Sequence, residues 1–478
     1  MQKTNARGFS FSTIFSGVGA PQHLYFCQVL YRQLLAPSAT LPDMHGIAGS
    51  GFRLAVVGGG PAGFMAALAA AEKDTGATVT VFDSGVPLAT VLRTGGGRCN
   101  LTNAGKGTRE LAACYPRGGK FLLSAFARFG PAETMGWFRS RGLPLVVEAE
   151  GRVFPRSGRA ADVRRLLEAE SRRAGIQVRA RAAVERVTSA VNPLPSGPGP
   201  SLAGPNPPSA ARIFTLHTVR GSESFDRVIL ATGGDRRDGK GSGYGLAQSL
   251  GHTVTRLSPS LAALASAETW PARLAGLTLR GAEAAWRGEG ERVSREEGDL
   301  LFSHHGISGP LAFRVSSRCA FATISRAAPL RLFLSAFPGS SAAELEARLR
   351  TLLSERPRRH VATAVASLVP GSLADVMMEL AGLNPQLPAA QLSREGRKRL
   401  AVLLEGLPLT IIGREKGTEM VTAGGIALEQ VDPRTMESRI LPGLFFCGEM
   451  LNIDGFTGGY NLQAAWSTGR LAGLAAAR

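Results

Sequence analysis

The sequence predicts an α/β protein built around a parallel β-sheet, and three consecutive segments near its start carry this prediction. An apolar strand at residues 54–57 runs into a glycine turn, an alanine-rich helix follows, and a second apolar strand spans 79–82. Strand, helix and strand in this order form a βαβ unit, whose two strands pair in parallel.

The glycine turn has the spacing of a dinucleotide-binding fingerprint. It reads Gly58-x-Gly60-x-x-Gly63, and an acidic residue ends the second strand twenty residues further on. The glycines permit a tight turn, close approach of a pyrophosphate and close packing of helix on strand, which is the Rossmann-like arrangement. The helix N-terminus offers N–H groups to phosphate, and the acid accepts from a ribose hydroxyl. An ordinary glycine-rich turn is the alternative, which this context disfavours. The predicted binding residues are Gly58, Gly60, Pro61, Ala62, Gly63 and Asp83.

A second glycine loop, at residues 94–103, predicts another anion-binding segment. Three consecutive glycines expose backbone N–H groups, and an arginine follows them directly. A flexible linker is the alternative, but Arg-Cys-Asn-x-Thr-Asn is not linker composition. The candidates are Gly96, Gly97, Arg98, Cys99 and Asn100.

The elements that follow continue the alternation of helix and strand. We expect two short helices over 120–142 with Pro131 at a helix start, a hairpin over 145–154, an amphipathic helix over 160–174, strands near 176–190 and 212–219, and a Pro/Gly/Ser-rich loop over 192–209. A buried parallel strand then begins at Arg227 and ends in Thr232, Gly233 and Gly234. Because ligands bind at the carboxyl ends of such strands, Thr232 and Gly233 should face the same crevice as the first glycine turn.

Composition restricts the class of protein. With 478 residues the chain is too long for one core, and no stretch has the apolar length of a membrane span. The formal charge is +18, and 48 of the 55 basic residues are Arg. An anionic partner such as nucleic acid would explain this charge. A general bias towards Arg and Ala is the simpler explanation, because the arginines are scattered and no basic motif is interleaved with aromatics.

Five widely spaced cysteines (27, 99, 114, 319 and 447) include no CxxC pair, which excludes a redox disulfide at that spacing and a cysteine-based zinc site. Their odd and sparse number fits a reducing cytoplasm, and we expect no metal.

The segment 1–45 differs in composition from the rest, with its first acidic residue at Asp43. We expect a disordered extension or an over-long start, with Met44 as the effective beginning, rather than a signal peptide.

From about residue 52 onwards the chain resembles a known family. The matching segments are 57–63, 94–103, 231–234, 302–310, 422–427 and 444–469, and the last of them includes Gly448-Glu449 and Asp454-Gly-Phe-Thr-Gly-Gly459-Tyr-Asn461-Leu462-Gln463. The chain is similar to the BaiN/RdsA-type NAD(P)/FAD-dependent oxidoreductases, an aminoacetone oxidase-like branch of the two-dinucleotide-binding-domain flavoproteins.

The resemblance implies a fold and a domain plan. A Rossmann-like FAD-binding domain would span 46–252 plus 425–478, a small β-barrel would be inserted at 253–340 plus 406–424, and a helical insert would occupy 341–405. The sequence supports the helical insert, because 342–353, 357–368, 373–380 and 393–404 have helical apolar spacing with breakers between them.

The resemblance also implies roles for particular residues. FAD would be held at its pyrophosphate by the two glycine loops, at its adenosine ribose by Asp83 and at its adenine by the backbone of Val184. Gly448 and Glu449 would hold the ribitol and phosphates, and Asn461, Leu462 and Gln463 would meet the isoalloxazine. The glycines between Asp454 and Gly459 permit close approach to a ring. Local backbone capping remains the alternative for Glu449 and Asp454. His304 aligns with a family histidine and is either a general acid or a structural turn residue.

These observations together predict a cytoplasmic FAD-dependent oxidoreductase with a small-molecule substrate. NADH or NADPH would reduce FAD, which would pass hydride to an activated C=C or a carbonyl. The alternatives are an oxidase or monooxygenase that uses O2, an RNA-associated flavoprotein, and a flavin carrier without turnover. We expect no membrane partner and disfavour a nucleic-acid partner.

Overall fold

The computed structural model describes residues 51–191, 212–235, 243–287 and 292–477. The expected extension over 1–45 and the expected loop over 192–209 lie outside these residues.

The described strands alternate with helices through the first half of the chain. The strands are β1 (Arg53–Val57), β2 (Thr78–Phe82), β3 (Thr102–Asn103), β4 (Leu145–Val147), β5 (Arg152–Pro155), β6 (Gln177–Arg179), β7 (Val184–Val191), β8 (Arg212–Thr218), β9 (Gly221–Phe225), β10 (Arg227–Leu230), β11 (Ser258–Ser260), β12 (Leu264–Ser266), β13 (Thr278–Arg287), β14 (Val293–Ser303), β15 (Gly306–Ser308), β16 (Leu330–Ser335), β17 (Leu407–Arg414), β18 (Val421–Ala423) and β19 (Leu444–Phe446).

The helices are α1 (Pro61–Lys73), α2 (Thr108–Ala113), α3 (Gly119–Arg128), α4 (Pro131–Ser140), α5 (Ala160–Arg173), α6 (Tyr244–Ser249), α7 (Trp270–Arg273), α8 (Gly309–Arg318), α9 (Ala342–Glu355), α10 (Val361–Ala366), α11 (Gly371–Leu380), α12 (Arg394–Glu405) and α13 (Tyr460–Ala476). None of the helices in the described ranges combines the length and the apolar character needed to cross a bilayer.

The centre of one half of the structure is a five-stranded parallel sheet in the order β19-β10-β1-β2-β6, in which β19 comes from near the C-terminus. Its middle strand β1 buries Leu54, Ala55 and Val56 completely, as a strand covered on both faces must. The α/β prediction is therefore confirmed. The carboxyl ends of β1, β10 and β19 meet at one edge, where the Ala231 N–H donates to the Val57 carbonyl over 2.7 Å and the Cys447 N–H to the Leu230 carbonyl over 3.1 Å.

Helices α1 and α13 cover this sheet and pack very closely on each other. The contact depends on glycines of α13, since a Cβ on Gly469 would lie 2.4 Å from the Ala62 carbonyl oxygen. A Cβ on Gly473 would lie 2.1 Å from the carbonyl oxygen of Ala66. The close approach therefore fixes α13 against the first two turns of α1.

Replacing Gly473 tests this helix contact. We expect Gly473→Ala to lower the free energy of unfolding by about 1–3 kcal/mol, because the added methyl group must push two buried helices apart. Urea denaturation measures the change. Gly136→Ala, in α4 where a Cβ meets no atom within 4 Å, is the matched control and should be neutral or slightly stabilising. Equal effects of the two substitutions would contradict the packing account.

A closed six-stranded barrel, β12-β15-β14-β13-β16-β17, forms the second half with helices α9–α12. Barrel residues such as Leu332 and Leu409 share one buried core with Leu345 and Leu373 of the helices. The barrel and the helical insert therefore stabilise each other, whereas the boundaries expected for them stay predictions.

The helix expected over 357–368 is shorter in the structure, where α10 starts only at Val361. The preceding residues pair with another segment instead. The Val361 N–H donates to the Leu387 carbonyl over 2.8 Å, and the Ala389 N–H donates to the Arg359 carbonyl over 2.8 Å. Tertiary hydrogen bonds have thus replaced the first helical turn that the apolar spacing predicted.

Candidate dinucleotide-binding site

The turn between β1 and α1 has the geometry that its glycine spacing predicts. Gly58 has φ +113°, and a Cβ there would lie 2.2 Å from the Ala231 carbonyl oxygen. A Cβ on Gly63 would lie 1.9 Å from the Gly58 carbonyl oxygen, so this glycine lets the helix pack on the turn. Gly60 is different, because a Cβ there would meet no atom within 4 Å.

This open space lies at the N-terminus of α1. Gly60 is the N-cap residue and contributes no side chain, Pro61 occupies the first turn, and no acidic residue lies in that turn. The first N–H groups of a helix have no partner within it, and they carry a partial positive charge. The turn is thus an uncapped site suited to an anion, as expected for Gly58, Gly60, Pro61, Ala62 and Gly63.

Asp83 lies directly beside this turn and is 7% exposed. Its carboxylate accepts hydrogen bonds from the Gly59 N–H at 2.9 Å and the Gly85 N–H at 2.7 Å. One role of Asp83 is therefore to hold the glycine turn in place. A carboxylate has about four acceptor sites, so a ribose hydroxyl can still bind, and that role stays a prediction.

The second glycine loop projects a left-handed backbone into open space. Gly96 and Gly97 have φ +65° and +83°; a Cβ on Gly96 would meet no atom within 4 Å, and one on Gly97 would lie 3.9 Å from the Leu92 carbonyl oxygen. Cys99 also has a positive φ, +63°, which is strained for a residue with a side chain. Its thiol is fully buried, and burial raises its pKa to about 12, so it is not a thiolate nucleophile.

Arg98 is partly committed to an ion pair. Its guanidinium donates to both carboxylate oxygens of Glu148, at 2.8 and 3.2 Å, and lies 3.9 Å from the centre of the Phe154 ring. These hydrogen bonds lower the pKa of Glu148. An anion bound by this loop would therefore share Arg98 with Glu148. Asn100 contacts the same hairpin, because its side-chain oxygen accepts from the Val153 N–H over 3.2 Å.

Gly448 brings the C-terminal segment to the same turn. It has φ +71°, and a Cβ there would lie 2.7 Å from the Cβ of Ala62 in the first turn of α1. Its N–H donates to the Thr468 hydroxyl over 2.9 Å. The structure thus places Gly448 beside Gly58 to Gly63, although 385 residues separate it from Gly63.

The Glu449 carboxylate lies between Gly234, which follows β10, and Thr422 of β18. Its Oε1 accepts from the Thr422 N–H over 2.7 Å, and a Cβ on Gly234 would lie 2.3 Å from the same oxygen. Burial raises the pKa of the Glu449 carboxyl to about 7, and the charge of Asp454 acts in the same direction, while hydrogen bonds from Thr422 and Gly234 oppose them. A carboxyl that titrates near neutrality therefore stands beside the crevice.

The raised pKa of Glu449 predicts a dependence of stability on pH. Between about pH 4.5 and 7 the folded state binds more protons than the unfolded state, so the stability should fall as pH rises through this range. Glu449→Gln removes this titration, so most of the fall in stability, about 3 kcal/mol over this pH range, should disappear. Urea unfolding at several pH values measures it. Glu429→Gln, at an exposed position, is the control and should keep the wild-type slope. A wild-type slope in Glu449→Gln would show that this carboxyl titrates normally.

Three buried side-chain oxygens around the crevice have no hydrogen-bond partner within the described part of the chain. They are Asn103 Oδ1, Thr232 Oγ1 and Asn452 Oδ1. Buried polar atoms are nearly always paired, so such atoms indicate groups that a ligand or water satisfies. The expectation that Thr232 and Gly233 lie next to the first turn agrees with the contact between Gly58 and the 231–232 backbone.

Side chains in the first turn of α13 form hydrogen bonds with the preceding turn and with neighbouring segments. Asn461 donates to the Gly455 carbonyl over 2.8 Å and accepts from the Gly455 N–H over 2.8 Å, which closes the preceding turn. Gln463 is fully buried, and its amide nitrogen donates to the Phe129 carbonyl, Thr134 and Ser467. The geometry favours a structural role for the side chains of Asn461 and Gln463. Leu462 is half-buried and packs against the apolar core around the parallel sheet, which includes Val56 and Phe64.

The glycines before α13 make room for protein groups. A Cβ on Gly455 would lie 2.9 Å from the ring of Tyr115, and a Cβ on Gly459, which has φ +95°, would lie 2.5 Å from the Thr102 carbonyl oxygen. These glycines therefore allow close packing on Tyr115 and Thr102 of the chain itself. Whether a cofactor ring also lies against this turn stays a prediction.

Asp454 is fully buried in an ion pair with Arg117, whose Nε and Nη2 donate to its two carboxylate oxygens. Ser260 and Ser317 donate to the same carboxylate, over 2.8 and 3.2 Å. Arg117 also donates to the Ser317 carbonyl over 3.0 Å. The network joins the segment before α13 to β11 and α8, so Asp454 connects the two halves of the structure.

Arg117 is a residue that the sequence reasoning missed. It is one of 48 scattered arginines, and its partner Asp454 lies 337 positions away. The only local signal is its place in Pro116-Arg117-Gly118-Gly119, an arginine in front of two glycines. Thr422, which holds Glu449, was assigned no role either.

The remaining candidates lie at different places. Val184 begins β7, in a separate three-stranded sheet with β8 and β9. His304 and His305 form the exposed turn between β14 and β15, and no described residue forms a hydrogen bond with either imidazole. Cys447 is fully buried, which raises the pKa of its thiol. The roles of His304 and Val184 stay predictions.

Within the described ranges, no cluster of three or more His, Cys, Asp or Glu side chains is arranged to hold a metal ion.

The fold and this crevice define a Rossmann-type dinucleotide-binding protein. The chain belongs to the HI0933-like protein Rossmann domain family, whose pattern matches residues 52–475. The resemblance to BaiN/RdsA-type oxidoreductases is thereby confirmed, and the chain is a member of a family of flavoprotein oxidoreductases.

Curated relatives extend over nearly the whole chain. The 3-dehydro-bile acid delta(4,6)-reductase of Clostridium scindens is 31% identical over 431 residues, which cover 89% of this chain and 99% of that protein. The ribosomal RNA dihydrouridine synthase of Haemophilus influenzae is 27% identical over 430 residues, covering 88% and 98%. Among solved structures, the open conformation of a flavocytochrome c3 fumarate reductase matches with a TM-score of 0.42 and 15% identity, over 95% of this chain and 80% of that one.

Proposed function

We propose that this chain is an FAD-dependent oxidoreductase that accepts hydride from NADH or NADPH and passes it to an organic acceptor with an activated C=C or a carbonyl. The observation that carries the proposal is the uncapped N-terminus of α1, which lies open beside Gly60 and next to Gly448. Both curated relatives are named for reductive chemistry on an organic substrate, which supports the reaction class.

The residues present fit FAD. The open glycine backbones at Gly60, Gly96 and Gly97 leave space where a pyrophosphate would lie, and the N–H groups of α1 would bind it. Asp83 would hold the adenosine ribose. The unpartnered oxygens of Thr232 and Asn452 lie on segments beside the crevice and offer further polar contacts. FAD supplies the hydride chemistry when it is bound, and the protein orients it.

The chain's own residues would tune this chemistry. The N-terminus of α13 carries a partial positive charge and would stabilise negative charge at the pyrimidine edge of a flavin ring. Glu449 holds its proton up to about pH 7, so it would limit the negative charge beside the ribitol and phosphates at neutral pH. His304 remains our candidate for the general acid that delivers a proton to the acceptor. The four described cysteines are all free thiols, which supports the proposed cytoplasmic location.

An anaerobic titration tests the donor half of the proposal. Purified protein is mixed with NADH and, in parallel, NADPH, and the visible flavin absorbance is followed. We expect rapid bleaching by at least one of them. A yellow protein that neither nucleotide bleaches would contradict the proposed donor. Rapid O2 consumption with hydrogen peroxide release would instead favour an oxidase.

Action on RNA is a second candidate, favoured by a surface groove. The groove has a volume of about 620 Å3 and lies between α4, β4 and α5. Its lining includes four arginines and two acids: Arg141, Arg156, Arg165, Arg173, Asp162 and Glu170. The net charge of these six residues is positive, and a relative is named for dihydrouridine synthesis in ribosomal RNA. This candidate predicts retention on RNA that weakens with salt, and failure to bind at low salt would exclude it.

A further inference from the structure

Three arginines from distant parts of the chain lie around residues 319–321, which directly follow α8. The Cζ atoms of Arg117 and Arg256 lie 5.4 and 6.0 Å from the centre of the Phe321 ring. Arg414, the last residue of β17, donates to the carbonyls of Cys319 and Ala320, the latter over 3.1 Å. The cluster therefore lies where α8, β17 and the segment before β11 meet.

Only one of these three charges is balanced by a described residue. Arg117 is paired with Asp454, as shown above. Across the described ranges, neither Arg256 nor Arg414 has a carboxylate oxygen within 4.0 Å, and the exposed Arg256 guanidinium forms no hydrogen bond there. Two neighbouring cations without a counter-charge repel each other, and an anion placed between them would relieve that repulsion.

Arg414 adds an unsatisfied donor. Its Nε is buried and has no hydrogen-bond partner among the described residues. Burial lowers the pKa of its guanidinium, Cys319 opposes this shift, and the charge of Arg256 adds to the lowering by less than Cys319 opposes it. The hydrogen bonds from Arg414 Nη2 to the carbonyls that follow α8 give this part of the guanidinium a structural role. This structural role does not account for the buried, unpartnered Nε of Arg414 or for the absence of a counter-charge beside Arg256 among the described residues.

We propose that Arg256 and Arg414 bind the oxyanion group, a carboxylate or a phosphate, of the acceptor substrate. Guanidinium groups bind such oxyanions through charge-assisted hydrogen bonds, and the half-buried Phe321 ring offers an apolar surface beside them. The site adjoins Arg117 and therefore the Asp454 network that precedes α13. The proposal rests on the proposed function, because it assigns the group to the acceptor.

Ligand-induced stabilisation of the FAD-loaded protein tests this site. The probes are benzoate and phenyl phosphate, with benzyl alcohol as the neutral counterpart, and the readouts are the unfolding temperature and calorimetric titration. We expect one or both anions to bind and the alcohol not to bind. The anion that binds more tightly distinguishes a carboxylate from a phosphate. FAD keeps its own pyrophosphate site filled during the measurement.

The decisive variant is Arg256→Gln, because this side chain is exposed and no described residue forms a hydrogen bond with its guanidinium. We expect the anion to bind about tenfold or more weakly. Arg358→Gln removes another exposed arginine, distant in sequence, and this variant should bind the anion as the wild type does. Arg414→Gln should also weaken binding. Absence of anion binding in the wild type, or equal binding in Arg256→Gln and Arg358→Gln, would overturn the proposal.

Flavin content and reduction are measured on the same samples. A yellow protein that NAD(P)H bleaches but that binds no anion would reject this site and leave the proposed function intact. Anion binding that Arg256→Gln abolishes in a protein that no nicotinamide reduces would reject the proposed donor instead. A loss of reduction by NADPH but not by NADH in Arg256→Gln would assign the pair to the donor's phosphate and overturn the acceptor assignment.

Discussion

Gly60→Asp should strongly weaken FAD binding while leaving the fold intact. Gly60 has an ordinary φ of −84°, and a Cβ there meets no atom within 4 Å, so the protein can accept a side chain. An aspartate at this N-cap position would accept hydrogen bonds from the first N–H groups of α1 and repel a pyrophosphate. We expect FAD to bind about 100-fold or more weakly, which corresponds to about 2.7 kcal/mol.

The stability of this variant separates loss of binding from misfolding. The free energy of unfolding of the FAD-free protein should change by less than about 1 kcal/mol, because aspartate is a good N-cap residue. Gly371→Asp, at the exposed start of α11, introduces the same charge and should keep wild-type FAD affinity. Wild-type FAD affinity in Gly60→Asp, measured by fluorescence titration, would contradict the assignment of this turn.

Arg117→Met should produce the largest loss of stability. It removes the ion-pair partner of Asp454, whose carboxylate is 0% exposed and would keep, among the described residues, only the Ser260 and Ser317 hydroxyls as donors. Breaking a buried ion pair in this way costs about 3–5 kcal/mol. Urea unfolding measures the change.

A double variant tests the physical cause. Arg117→Met combined with Asp454→Leu removes both charges, so most of the stability lost in the single variant should return. Arg128→Met, at an exposed arginine of α3, is the control and should cost less than about 1 kcal/mol. A double variant that is less stable than Arg117→Met would show that the network contributes more than the pairing of charges.

The parts of the fold that the sequence predicted are those with local causes. The apolar run of β1, the glycine turn and Pro61 at the start of α1 lie within a dozen residues, and each restricts the backbone directly. The hairpin of β4 and β5 and helices α3 to α5 were recognisable for the same reason. The first glycine turn of the candidate site could therefore be placed in a fold before the structure was known.

The parts that could not be predicted depend on contacts between distant segments. Asp454 offered a choice between a cofactor ligand and a local cap, and the structure shows a third role, an ion pair with Arg117. Gln463 stood beside the expected isoalloxazine in the sequence, but its amide is enclosed by groups from residues 129 and 134. Sequence spacing identifies the element on which a side chain lies. It does not identify the partner that the tertiary fold brings to it.

The visible spectrum and cofactor content of the purified protein test the central claim most directly. The account predicts a yellow protein, or a colourless one that turns yellow with added FAD. Denaturation should release about one FAD per chain, and FMN should not replace it, because the α1 turn is built for a pyrophosphate. A colourless protein that takes up no added FAD would contradict the account.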